Sequence, residues 1–333
     1  MKLKSETDID QLLRAYLPAA ALGTALELGL FWQLADTPQS AAEVAENNDI
    51  PQLRCKHWLD YLLELGLLEK TPYGYLSSAT AREAIVESRS QNTWSLLAEE
   101  ARERLPVVQD LTLHIHEKGS IWAKLGLTPP DYAAKLEENS EQARRFTRML
   151  YELHQDVAQE LAENLDLSDV KQMMDVGGGS GVMSYALLRR YPHLEVVVLD
   201  QANVCIAGRE IASENGLEDR ITFLPGNFLT DELPDGFDLI LESDVGIFSE
   251  NLFKKFWKAL NPSGQLVILD YSFETVSVNR LQLTGRQLFH SLENQNFMFE
   301  TINDLKTMLA QAGFRRFSGA IPIGDGLFFE SWK

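Results

Sequence analysis

A chain of 333 residues is long for one small domain and fits two domains, or one large α/β domain with a cap. Its 45% hydrophobic and 24% charged residues exclude disordered, collagen-like and disulfide-built scaffolds. The charge is less ordinary: 30 Lys and Arg stand against 49 Asp and Glu, a formal net of -19, which opposes phosphate backbones and anionic lipid, so no nucleic-acid or membrane partner is expected.

The N-terminal third reads as helices. Residues 9–35 are apolar and helix-forming, with a break near Gly29. Ser40 precedes AAEVAENN with Glu43 three residues on, a capping box. Pro51 opens PQLRCKHWLDYLLELG, a periodic helix that stops at Gly66. Two short apolar runs then flank Thr71-Pro72-Tyr73-Gly74, a hairpin signal. Helices followed by a hairpin give the order of a winged helix. Residues 79–101 are helical again, 105–139 are less regular, and one long helix is expected from Ser140 to about Asn164.

After residue 170 the period changes. The runs KQMMDVGGG, LEVVVLD, ITFLPGNF, FDLILES, GQLVILDYS, RRFSGAIPI and LFFESWK alternate with helices near 181–191, 202–215, 250–260 and 301–312. Such alternation predicts parallel strands with crossover helices, a doubly wound, Rossmann-like α/β sheet. The last two strands, joined through Ile323-Gly324-Asp325-Gly326, are expected to form an antiparallel hairpin at the sheet edge.

The chemistry gathers at the strand ends. Asp175-Val176-Gly177-Gly178-Gly179-Ser180-Gly181 runs from strand to helix, where glycines let backbone approach a ligand. Asp200 ends the next strand, about twenty residues on, placed to accept the hydroxyls of a ribose. The spacing is GGGSG, and a carboxylate precedes the glycines. That disfavours a pyrophosphate and suits a ligand with an ammonium group, such as the methionine part of S-adenosylmethionine. Pro225-Gly226-Asn227-Phe228 follows the third strand, where an amide can read an adenine amine.

These residues, with LNPSGQLVILD, TALELGLFWQLA and LDYLLELGLLEKTPYGYLSSA, resemble the class I S-adenosylmethionine-dependent methyltransferases, and more closely the acetylserotonin (hydroxyindole)/caffeate O-methyltransferase family. The resemblance implies a winged-helix dimerisation domain (1–104), a helical connector lining the substrate pocket (105–165) and a Rossmann-like catalytic domain (166–333), assembled as a homodimer through the N-terminal helices. It implies S-adenosylmethionine as cofactor, with Asp175, Gly177 and Gly179 near the methionine part, Asp200 and Gln201 at the ribose, and Asn227 and Phe228 around the adenine. Ser243, ending FDLILES, is a further cofactor-side candidate. The family more often has Asp where Asn227 stands.

A larger departure lies in Glu242-Ser243-Asp244-Val245-Gly246-Ile247-Phe248. Gly246 occupies the position where the resemblance implies a catalytic histidine. Methyl transfer needs a nucleophile with an available lone pair, and a positioned base commonly takes its proton. Three readings follow. The acceptor is already nucleophilic, which raises C-methylation or proximity-driven transfer; another base has taken over; or the chain keeps the cofactor site for other chemistry or regulation. Candidate catalytic groups are Asp244, His290 in GRQLFHSLENQNFMF, and His154 on the helix after Ser140. His57 and His193 read as surface or packing residues, and His114 and His116 would share a face if LTLHIHEKG were extended. Met149, Tyr151, Phe248 and Phe297 fit an apolar, aromatic or polyketide-like small-molecule acceptor.

Two distant cysteines, Cys55 and Cys205, make neither a disulfide framework nor a metal pattern, so no metal is expected and a reducing cytoplasm is the simplest location. The first ten residues lack an apolar core, so no signal peptide is expected. Residues 15–35 carry one charge, Glu27, but Pro18, Gly23 and Gly29 argue for a buried helix over a membrane span. A winged-helix DNA-binding regulator is disfavoured because LRCKHWLDYLLELG, its reading helix, is mostly apolar.

Overall fold

The computed structural model describes residues 2–271, 273 and 280–333. They form two compact units, 1–115 and 116–333.

The first unit is helical with one hairpin. Helices Glu6–Leu13, Tyr16–Glu27, Leu30–Gln33, Ala41–Asn47 and Gln52–Glu64 lead into strands β1 (Leu68–Thr71) and β2 (Gly74–Ser77). The expected capping box is present: Ser40 Oγ accepts from the Glu43 amide at 3.2 Å and Glu43 caps the Ser40 amide at 2.7 Å. Thr71 pairs with Gly74, so Pro72-Tyr73 is a two-residue turn. Phe31, Leu34, Leu59, Leu62 and Tyr75 fill the core. The helix Gln91–Gln109 carries Pro106 inside it and runs through residue 104. His114 ends a short helix, Leu111–His114, so LTLHIHEKG is not extended there.

The second unit is built on one sheet, with strands β3 (Gln172–Val176), β4 (Glu195–Asp200), β5 (Ile221–Pro225), β6 (Phe237–Ser243), β7 (Leu260–Asp270), β8 (Arg316–Phe317), β9 (Ile321–Ile323) and β10 (Gly326–Trp332). The order is β5-β4-β3-β6-β7-β10-β8, with β9 also on β10. β3 to β7 pair in parallel, and β10 runs antiparallel to β7. The expected hairpin exists, but β10 lies between β7 and the short strands β8 and β9, so only the latter two form the rim.

Both faces of the sheet are covered, which is why its strands read as nearly continuous apolar runs. Met173, Leu239, Leu241, Val267 and Leu269 face helices Gln155–Asn164, Val182–Arg190 and Ala202–Glu214. Met174, Ile240, Leu266 and Ile268 face helices Glu250–Ala259 and Ile302–Ala312. The long helix expected from Ser140 is two helices, Ser140–Leu153 and Gln155–Asn164, broken at His154. Among the described residues no helix is long and apolar enough to cross a membrane.

The helix Ala202–Glu214 rests on β5 through Gly208, where an added Cβ would overlap the buried ring of Phe223. Overpacking of roughly 1–3 kcal/mol outweighs the gain in helix propensity of up to about 1 kcal/mol. Gly208→Ala is therefore expected to lower stability by about 1 kcal/mol or more, read from the midpoint of urea unfolding.

Candidate functional site

The chain passes outward from β3 to β4 to β5, then returns to lay β6 on the other side of β3. This reversal opens a crevice at the carboxyl ends of the strands, the usual ligand position of a doubly wound sheet. Four loops meet there: the glycine loop after β3, Asp200-Gln201 after β4, Gly226-Asn227-Phe228 after β5, and Ser243 to Gly246 after β6.

The glycine loop owes its course to backbone that side chains disfavour. Gly177, Gly179 and Gly181 have φ of 66°, 56° and 79°. A Cβ at Gly177 would stand 2.7 Å from Val245 Cγ2, so the loops after β3 and β6 touch. A Cβ at Gly179 would meet nothing within 4 Å, so backbone borders open space there. Asp200 ties this loop to the next: one carboxylate oxygen accepts from the Gly179 amide at 2.9 Å and the other from the Gln201 amide at 2.7 Å.

Asp175 lies beneath the loop, not in it. It is 1% exposed, and Ser184 Oγ donates to it at 2.6 Å. Burial raises its pKa to about 7, with the charge of Asp200 adding to the rise. Burial also raises Asp200 and holds Glu242, likewise 1% exposed, well above its ordinary value, with Asp270 adding to the latter shift. No cation contributes to the shift of Asp175, Asp200 or Glu242. Among the described residues, four buried oxygens at this edge have no hydrogen-bond partner: Asp175 Oδ1, Gln201 Oε1, Glu242 Oε2 and Ser243 Oγ. Orphaned acceptors without a neighbouring cation fit a ligand that brings donors and positive charge, as an ammonium, a sulfonium and ribose hydroxyls would. They do not fit a phosphate. Asn227 is exposed; its Oδ1 accepts from the Leu229 amide at 2.9 Å and keeps a second lone pair. Phe228 Cε1 stands 3.7 Å from where a Gly177 Cβ would be.

Beside the crevice is a second cavity of about 410 Å³. Gly246, Phe248, His290 and Phe297 line it, with Ile247, Met298, Phe299 and Glu300. The His290 ring stacks on Phe297 with centroids 4.7 Å apart. Gly246 has φ of 68°, and its amide donates to the buried Asp270 carboxylate at 2.9 Å. A side chain at this position would be strained by roughly 1–2 kcal/mol. Asp244, two residues earlier, is also left-handed, at φ 55°. Surrounding protein and Asp270 raise its pKa to about 7 while Arg286 lowers it, although 45% of the side chain remains exposed. His154 Nε2 is 3.7 Å from Asp244 Oδ2.

The four loops bring together Gly177, Gly179, Asp200, Gln201, Asn227, Phe228, Ser243 and Asp244, while His290 comes from the helix Arg280–Ser291 and His154 from the break after helix Ser140–Leu153. Tyr151 is not brought there: its hydroxyl donates to Asn215 Oδ1 at 3.0 Å and its ring packs on Tyr185. Met149, 2% exposed, is buried on the helix Ser140–Leu153. His57 is exposed, and His193 bonds the Leu167 carbonyl at 3.1 Å. Asp270 was not among the sequence candidates, although VILD ends in an acidic residue as VVVLD does. Tyr271 was also missed, because only the fold carries it to His154, with ring centroids 6.3 Å apart. Among the described residues no group of three or more His, Cys, Asp or Glu is placed to hold a metal ion.

Comparison with known proteins is consistent with this chemistry. A family model described as an O-methyltransferase domain matches residues 109–315. The N,N-dimethyltransferase OxyT of Streptomyces rimosus is 29% identical over 309 residues, covering 92% of this chain and 89% of its own. A 3-hydroxy-5-methyl-1-naphthoate 3-O-methyltransferase of Streptomyces sahachiroi is 31% identical over 225 residues, covering 67% of this chain and 64% of its own. The solved structure described as PigF with SAH superposes with a TM-score of 0.82 at 18% identity, covering 99% of this chain and 100% of that one, a likeness of fold.

A carboxyl raised from 3.8 to about 7 binds its proton more tightly in the folded state. Its stabilising contribution is complete below about pH 4 and is lost as pH rises to about 7. Asp175→Asn is expected to change stability little near pH 4 and to raise it by ~1–3 kcal/mol at pH 8, measured by urea unfolding of the ligand-free chain at both values.

Proposed function

Because this chain belongs to the O-methyltransferase domain family and S-adenosylmethionine is its cofactor, we propose that it methylates a small aromatic or polyketide-like acceptor bound in the cavity of Gly246, Phe248, His290 and Phe297. The observation that carries the reading is the adjacency of two unlike spaces, an acidic crevice in which no cation enters the shifts of Asp175, Asp200 and Glu242, and an aromatic-lined cavity, joined by residues 243–248. The cofactor supplies a methyl group on a cationic sulfur.

In this reading the chain's own groups hold and orient. Backbone at Gly177 and Gly179 admits the methionine part, and Asp175 acts from beneath the loop through its field. Asp200 and Gln201 would accept from the ribose, Asn227 and Phe228 would border the adenine, and Ser243 would stand on the cofactor side. His290 and Phe297 give the acceptor ring a flat wall, and Phe248, stacked on Phe273 at 4.9 Å, gives it another. Gly246 offers no base, so the acceptor is activated by its own chemistry, as an amine or activated ring carbon is, or by another residue of the edge. Relatives are named as an N,N-dimethyltransferase, an O-methyltransferase and an L-tyrosine C(3)-methyltransferase, which supports methyl transfer to a small molecule; a heteroatom acceptor is our choice among these.

The N-terminal unit we assign to dimerisation. Helix Glu6–Leu13 buries none of its residues, and Leu13, Tyr16 and Leu17 are 74%, 72% and 52% exposed, an apolar surface that a second copy would cover. Two buried, unpaired cysteines, Cys55 and Cys205, support a reducing, cytoplasmic location.

Calorimetry with S-adenosylmethionine, followed by mass spectrometry of a panel of hydroxynaphthoates and aminonaphthoates, tests the reading. Saturable binding and a product heavier by one methyl are expected; absence of cofactor binding would sink it. Phe297→Ala is expected to raise the acceptor KM about tenfold with the cofactor Kd unchanged. Sedimentation of the full chain is expected to give a dimer that Leu13→Asp with Leu17→Asp dissociates.

A further inference from the structure

The site lacks a side chain at Gly246, yet a titratable pair stands two residues away. His154 occupies the break between helices Ser140–Leu153 and Gln155–Asn164. Its backbone amide donates to the Leu150 carbonyl at 3.1 Å, and its ring Nδ1 lies 3.0 Å from the same oxygen. A carbonyl only accepts, so Nδ1 carries the proton and Nε2 is the basic nitrogen. That nitrogen faces Asp244 Oδ2 at 3.7 Å. The imidazole is 17% exposed and the carboxylate 45%, so the carboxylate is the end that a bound molecule reaches.

The position of Asp244 along the chain matters as much. Val245, its neighbour, touches the glycine loop at Gly177, and Gly246 lines the aromatic cavity. Asp244 therefore sits where the cofactor crevice passes into the acceptor cavity. Its backbone is held left-handed at φ 55°, with its amide donating to the Leu269 carbonyl at 2.9 Å. A strained non-glycine residue of this kind persists when its surroundings fix it, and such residues gather at functional sites.

We propose that Asp244 and His154 act as one proton-accepting pair, with Asp244 receiving the proton of an acceptor O–H or N–H and His154 sharing it through Nε2. The inference rests on the methyl-transfer reading above. The atoms balance: a bond forms between the acceptor heteroatom and the methyl carbon, the sulfur–methyl bond breaks with its electron pair left on sulfur, and the acceptor's proton passes to the pair. Asp244 is the group that touches the acceptor, and His154 is a positioning residue acting through it.

The electrostatic surroundings bring the pKa of Asp244 to about 7. Burial and the Asp270 carboxylate at the end of β7 hold the proton on Asp244, while Arg286 on helix Arg280–Ser291 opposes them; Asp244 in turn raises Glu242 on β6. The Tyr271 hydroxyl feels Asp244, Asp270 and Asp325, all of which keep it protonated. A carboxylate next to a histidine raises the histidine's pKa, so removing Asp244 lowers it.

The test begins on the full-length chain without cofactor. Imidazole carbon and nitrogen resonances are followed against pH, with His154 assigned by its loss in His154→Gln. In Asp244→Asn, which suits the left-handed backbone because Asn tolerates it, the His154 titration is expected to move down by about one pH unit. An unmoved titration would overturn the pairing, whatever the enzyme transfers. Calorimetry then confirms that both variants bind S-adenosylmethionine as the wild type does. With the hydroxynaphthoate or aminonaphthoate that the wild type methylates, kcat of either variant is expected to fall about 100-fold and to lose the acidic limb of its pH profile. Unchanged kcat and profile in both variants would also overturn the proposal. A wild type that binds cofactor and methylates no probe counts against the acceptor reading, and the resonance titration decides the pair by itself.

Discussion

The site depends on carboxylates held out of water at one edge of a sheet. Asp175, Glu242 and Asp270 are each 1% exposed or less, and Asp200 is partly buried beside them. Charge in such a place is costly unless it is paired, hydrogen-bonded or neutralised by a proton. Ser184 and the amides of Gly179, Gln201, Val245 and Gly246 supply hydrogen bonds. No cation enters the shifts of Asp175, Asp200 and Glu242, so these groups retain protons to unusually high pH. In the proposed reading a cationic ligand takes the role the protons hold. The left-handed glycine loop, the orphaned acceptors and the doubly wound topology all fit that one electrostatic need.

The same field explains the segment after β6. Asp244 and Gly246 both take left-handed backbone, and the amide of Gly246 is turned onto Asp270. This geometry disfavours a side chain at Gly246 and leaves the Asp244 carboxylate 45% exposed. The helix break at His154 then brings an imidazole to that carboxylate.

Much of the fold was legible in the chain. Apolar runs ending in Asp175, Asp200 and Ser243 marked the parallel strands, and the triple glycine marked the first turn, because period and turn chemistry are local properties. The position of β10 inside the sheet was not legible, since hairpin pairing is local but the neighbour chosen by its other edge is tertiary. The break at His154 was hidden because no Pro or Gly announces it; the ring bonds back to Leu150 instead. His154 and Asp244 were separate candidates in the sequence, ninety residues apart, and only the fold makes them neighbours. Tyr151 shows the reverse, an aromatic residue of the right type on the right helix, turned into the core by Asn215 and Tyr185.

The central claim is that a cationic cofactor replaces protons on buried carboxylates. The direct measurement is calorimetry of S-adenosylmethionine binding at pH 6.5 in buffers of different ionisation enthalpy, with wild type and Asp175→Asn. Net proton release on binding is expected for the wild type, with less release for the variant. Binding with no net proton release, or with equal release in both proteins, would contradict the assignment of these carboxylates to the cofactor.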